Sequence, residues 1–109
     1  MIIVQNHYYA AAGKREAVLA TRLRADACRR SLGLDSGRTL ALVQSTGTAP
    51  AVIWQSSFAS LQGWHEDLRI LAESAEFADI RREQGQQLDA FARCGYVVAG
   101  ASRCDNARG

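Results

Sequence analysis

Few side chains in this sequence combine chemical reactivity with a spacing that would let them converge. Asn6 interrupts an apolar start, Ile2-Ile3-Val4-Gln5-Asn6-His7-Tyr8-Tyr9. A buried amide there must find hydrogen-bond partners, or else hold the phenolic or carbonyl oxygen of a ligand. His65, next to Trp64 in Leu61-Gln62-Gly63-Trp64-His65, carries an imidazole suited to general acid or base work near neutral pH. Asn6 and His65 are therefore the candidate catalytic pair. Each has a plainer reading: an asparagine bonded to nearby backbone, and a satisfied interfacial histidine. In an extended strand Tyr8 shares the side of Asn6, whereas His7 points to the opposite face. Trp54 and Trp64 each bury a large ring with an N–H that needs an acceptor, so they serve the core first and a pocket wall second.

Other chemistries lack their patterns. Ser56, Ser57 and Ser60 have no G-x-S-x-G setting, which disfavours a serine hydrolase. Cys28, Cys94 and Cys104 are odd in number and show no C-x-x-C spacing, so neither a disulfide framework nor a zinc site is expected. Gly33, Gly37 and Gly47 are isolated, and no phosphate-cradling loop forms from them. No metal and no cofactor are expected. The basic group Arg22, Arg24, Arg29 and Arg30 reads as a solvated helix face paired with Glu16 and Asp26.

The chain has 109 residues, 48% of them hydrophobic and 22% charged, and 13 Lys and Arg against 11 Asp and Glu leave a formal charge of +2. That length fits one domain, and the charge is too near balance to mark a nucleic-acid or membrane-surface protein. The start has no basic n-region followed by a long apolar run, and no stretch approaches the ~18 to 20 apolar residues of a membrane span. A cytoplasmic protein with reduced thiols is expected, without nucleic-acid or membrane partners.

The elements that must position these residues follow from periodicity. Ile2 to Tyr9 is a strand apolar on both faces. Lys14 to Leu32 is an amphipathic helix with Leu19, Ala20, Leu23 and Ala27 on its buried stripe, closed by Gly33. Asp35-Ser36-Gly37 turns the chain into a second strand, Thr39 to Ser45, which forms a hairpin with a third, Ala51 to Phe58. Ser60 and Ser74 cap two consecutive helical segments. The stripe Phe77, Ile80, Gln84, Leu88 and Phe91 extends the second of these up to Gly95, and Tyr96 to Ala99 is the fourth strand. Residues 1–101 form the domain and 102–109 a polar tail.

The order βαββαβ predicts an α+β, ferredoxin-like fold: an antiparallel four-stranded sheet with helices on one face. Apolar residues on both sheet faces require a second cover, and pairing two sheets face to face supplies it. A homodimer, the dimeric α+β barrel, is the expected assembly. RNA-binding domains share this element order, but their stacking aromatic motif is missing here.

The segment Val52-Ile53-Trp54-Gln55-Ser56-Ser57-Phe58-Ala59-Ser60-Leu61, followed by Ser74-Ala75-Glu76-Phe77, resembles the strand-to-helix signature of dimeric α+β-barrel proteins of the antibiotic-biosynthesis-monooxygenase and NIPSNAP-like superfamily. The resemblance implies this fold over about the first hundred residues. A cavity between helices and sheet is the usual form of a small-molecule site, and Asn6, Tyr8, Trp64 and His65 are expected to meet there around a small apolar or aromatic molecule, with Trp54, Phe77 and Arg81 as further binding residues. Two functions come with the resemblance: a cofactor-independent monooxygenase acting on a phenol or quinol, or a NIPSNAP-like non-catalytic ligand-binding or interaction protein. In the heme-degrading branch an axial histidine would fall near Arg81, and a protonated guanidinium cannot replace that iron ligand.

Overall fold

A computed structural model describes residues 1–100. The expected tail at 102–109, with Cys104, lies outside the described residues. The elements run in the order β1 (Ile2–Ala10), α1 (Arg15–Ser31), β2 (Arg38–Ala41), β3 (Val52–Phe58), α2 (Leu61–Ala72), α3 (Ala75–Gly85) and β4 (Leu88–Val97). The sheet order is β2-β3-β1-β4, with every neighbouring pair antiparallel. This is the ferredoxin-like α+β architecture that the element order predicts.

Local chemistry explains the boundaries. Gly33, at φ +78°, closes α1 in a Schellman motif: its N–H donates to the Arg30 carbonyl at 3.0 Å and the Leu34 N–H to the Arg29 carbonyl at 3.0 Å. Leu34 then packs against the helix-side core. The Ser60 hydroxyl accepts from the Gly63 N–H and the Ser74 hydroxyl from the Phe77 N–H, both at 3.1 Å, so two separately capped helices form. Gly37, at φ +69°, lies so close to Trp54 that a Cβ would meet the indole nitrogen at 2.6 Å. The tight turn lets Trp54 donate its N–H to the Ser36 carbonyl at 2.8 Å.

Three sequence expectations change. The helix expected to run up to Gly95 ends at Gly85, and β4 begins at Leu88. Spacings of three and four residues through Gln84, Leu88 and Phe91 fit a helix, but the nine-residue β1 needs a long partner on its outer edge, and β4 pairs with it from Ala10↔Leu88 to Ile2↔Val97. Gly95 is consequently no helix cap. It lies in β4 beneath Trp64, where a Cβ would meet the ring at 3.4 Å. The second strand is only Arg38–Ala41.

The third change concerns α1, whose buried face is rotated from expectation. Val18, Thr21, Arg22, Ala25, Asp26, Cys28 and Arg29 are buried, whereas Ala20, Leu23 and Ala27 are exposed. Leu19, Ala20, Leu23 and Ala27 looked like the apolar stripe only because charge was assumed to face water.

The core has two parts. Val4, Tyr8, Val18, Val52 and Trp54 pack between sheet and α1, and Ala25, Cys28, Leu71, Phe77 and Ile80 pack among the helices. On the sheet's other face, Ile3, Tyr9 and Ile53 surround a polar ladder in which Gln5 Nε2 donates to Gln55 Oε1 at 2.8 Å and His7 Nε2 lies 2.9 Å from Gln5 Oε1. His7 is on the face its alternation predicts. Among the described residues, no helix is long and apolar enough to cross a membrane.

Candidate functional site

A cavity of about 550 Å³ opens between the helices and the sheet, within the range of small-molecule sites. Register builds its floor: Asn6 pairs with Trp54 on one side and Arg93 on the other, and Tyr8 with Val52 and Phe91. Successive rows thus put Asn6, Tyr8, Trp54, Phe91 and Arg93 on the helix-facing side. The helices supply an apolar roof from Leu68, Leu71, Phe77 and Ile80. The cavity reaches the edge strand β4, where Phe91 is 46% exposed and Arg93 is also exposed.

Asn6 is buried and held by two side chains. Its Nδ2 donates to the Tyr8 hydroxyl at 3.3 Å, and its Oδ1 accepts from Arg93 Nε at 3.0 Å. Tyr8 in turn packs against Phe91, with ring centroids 5.2 Å apart and the planes tilted by 58°. Trp54, Trp64 and Phe77 also line the cavity, and Arg81 stands exposed at its rim with its guanidinium 5.3 Å from the Phe77 ring centroid.

His65 is the exception. It is exposed and absent from the lining, although its ring lies 5.8 Å from that of Trp64. The inward face of α2 is Trp64, Asp67, Leu68 and Leu71, and a residue one step after Trp64 turns about 100° away from that line. His65, expected beside Asn6 at the pocket, thus lies outside it.

Two buried arginines line the cavity beyond the residues expected there. Arg22 and Arg29 keep only 5% and 2% of their exposure, and both line the cavity with Asp67, Gln84 and Arg93. They do not form the solvated face expected of them. Arg29 donates from both terminal nitrogens to the two carboxylate oxygens of Asp67, at 3.0 and 2.6 Å, and from Nε to the Asp35 carbonyl at 2.7 Å. This is the bidentate fork that suits a buried guanidinium. Its Cζ lies 4.6 Å from the Trp54 ring centroid.

Arg22 is placed over Tyr8 at 4.8 Å, but its Nη2 is 3.8 Å from Asp26 Oδ1, beyond hydrogen-bond reach. Neither Arg22 Nε nor Asp26 Oδ1 has a hydrogen-bond partner among the described residues. Burial pushes the Arg22 pKa below its ordinary value, and the nearby Arg29 and Arg93 charges act in the same direction against the opposing pull of Tyr8 and Asp26. A signal for both arginines was present in the spacing: Val18, Arg22, Ala25 and Arg29 fall on one helical stripe.

No family model matches the chain, and no curated protein matches it. Solved structures do. An uncharacterised NIPSNAP domain protein from Burkholderia xenovorans superposes with a TM-score of 0.70 at 16% identity, covering 92% of this chain and 96% of that one. A NIPSNAP family protein from Agrobacterium tumefaciens gives 0.70 at 18% identity, over 93% of this chain and 88% of that one. A dimeric protein of unknown function with a ferredoxin-like fold from Bacteroides fragilis gives 0.65 at 12% identity, over 89% and 95%. At these identities what is shared is the backbone plan. The chain has the ferredoxin-like α+β fold, the plan that it shares with these solved structures.

Proposed function

We propose that this chain is a homodimeric, NIPSNAP-like binding protein that holds a small apolar or aromatic molecule between its helices and its sheet, without catalysing its conversion. The observation carrying this reading is the cavity itself, about 550 Å³ with apolar walls and a few convergent polar side chains. The relative described as dimeric and the half-buried apolar residues Ile3, Tyr9 and Ile53 on the uncovered sheet face support the homodimer, because a self-complementary contact would remove that face from water.

A cofactor-independent monooxygenase acting on a phenol or quinol is the weaker reading. It needs a base beside the substrate, and His65 lies outside the cavity lining. The Asn6 carbonyl is engaged by Arg93, and Asp67 is held in the fork of Arg29.

The two readings separate in one experiment. Phenols and quinols of the anthrone type are added to the protein while melting temperature and dissolved oxygen are followed. Binding alone raises the melting temperature, by about 2.7 kcal/mol of stability at a hundredfold excess over Kd, with no oxygen uptake. Oxygen consumption that disappears in Asn6→Ala would establish the monooxygenase instead. Sedimentation at micromolar concentration should give a dimer, and a stable monomer would sink the homodimer.

A further inference from the structure

The ligand's chemical class can be read from what the cavity does with charge. Among the described residues, four guanidinium groups line it, Arg22, Arg29, Arg81 and Arg93, against the single carboxylate of Asp67. Arg29 and Asp67 satisfy each other. Arg93 sits at the rim with its Nε engaged by Asn6, and Arg81 is exposed. Arg22 is different in being both buried and short of acceptors, with Nε unpartnered. Its one nearby carboxylate, Asp26, lies outside the lining and is held by the Thr39 hydroxyl at 2.6 Å. A buried guanidinium without its full set of acceptors is costly. Its position over the Tyr8 ring keeps it at the cavity wall.

We propose that the cavity recognises the carboxylate of an apolar or aromatic acid, with Arg22 as the buried partner of that carboxylate and Arg93 as its neighbour at the rim. The proposal rests on the binding function above and specifies its ligand. Leu68, Leu71, Phe77 and Ile80 receive the apolar body, and the anion accepts from the terminal nitrogens of Arg22, since its Nε is enclosed by the protein. A monoanion matches the wall better than a dianion, because among the described residues Arg22 is the one buried guanidinium of the lining whose carboxylate neighbour stays beyond hydrogen-bond reach. The ion also relieves the mutual repulsion of Arg22, Arg29 and Arg93.

The test compares 2-naphthoate with its neutral, nearly isosteric amide, 2-naphthamide, by isothermal titration calorimetry on the full chain. Naphthoate should bind at least about tenfold more tightly, the gain of a charge-assisted hydrogen bond. In Arg22→Met the acid-to-amide ratio should fall to about one. Arg22→Lys, which keeps the charge but loses the planar fork, should give an intermediate ratio and serves if the Met variant does not fold. If the wild type binds the amide as tightly as the acid, the carboxylate assignment fails while the cavity's binding role stands. An acid preference that persists in Arg22→Met or Arg22→Lys at its full value overturns Arg22 as the partner. If neither probe binds at millimolar concentration, both the assignment and the binding function fall.

Discussion

Arg22 and Arg29 occupy the same face of α1 two turns apart, and each has its guanidinium within 5 Å of an aromatic ring centroid, 4.8 Å for Arg22 over Tyr8 and 4.6 Å for Arg29 over Trp54. Both are nearly inaccessible to water. What separates them is the carboxylate each faces. Asp67 comes from a different helix and meets Arg29 with both oxygens. Asp26 comes from the same helix as Arg22, one turn on, and reaches only to 3.8 Å. The first pair ties α1 to α2, while the second leaves donor capacity at the wall of a cavity. One arginine cross-links two helices and the other keeps unpaired donor capacity beside a cavity.

This contrast predicts a graded series of stabilities in urea unfolding. Asp67→Ala should cost the most, about 3–5 kcal/mol, because it leaves the buried Arg29 charge uncompensated. A loss below about 1 kcal/mol would remove the structural half of the contrast. Thr39→Val preserves shape and deletes the hydrogen bond that holds Asp26, and should cost about 1.5 kcal/mol. Arg22→Met should stay within about 1 kcal/mol of the parent in either direction, since an apolar side chain of similar length replaces a charge that the fold leaves short of acceptors. A destabilisation as large as that of Asp67→Ala would show Arg22 to be structural after all. Smallest of all, Arg24→Gln breaks only the exposed pair with Glu83 and should give no measurable change in the unfolding midpoint, a control for generic loss of positive charge from α1.

The sequence spoke most clearly where the backbone's own requirements dominate. Alternation in Ile2 to Tyr9 located β1 and put Asn6 and Tyr8 on one side, and the cap residues Gly33, Ser60 and Ser74 marked helix ends that the structure keeps. It spoke least clearly where two periods coincide. Gln84, Leu88 and Phe91 satisfy helical spacing, yet Leu88 and Phe91 belong to a strand, and only the need of β1 for a long neighbour decides between them.

The site was half legible. Asn6, Tyr8, Trp54, Trp64, Phe77 and Arg81 all line the cavity, whereas His65 does not. The buried arginines were hidden by a sound prior, that charge faces water. That prior fails here because Asp67, 38 residues beyond Arg29, arrives from another element. Pairing across such a separation has no periodicity of its own and cannot be read along the chain.

The position of the cavity's mouth has a kinetic consequence. Because the lining is exposed both on the outermost strand, at Phe91 and Arg93, and on α3, at Arg81, a ligand of the proposed kind has a way in between strand and helix. Capture should then be a single bimolecular step, its observed rate rising in a straight line with ligand concentration and never reaching the plateau that a slow opening would impose. Residence time, set by how firmly the wall grips its guest, would carry the differences in affinity.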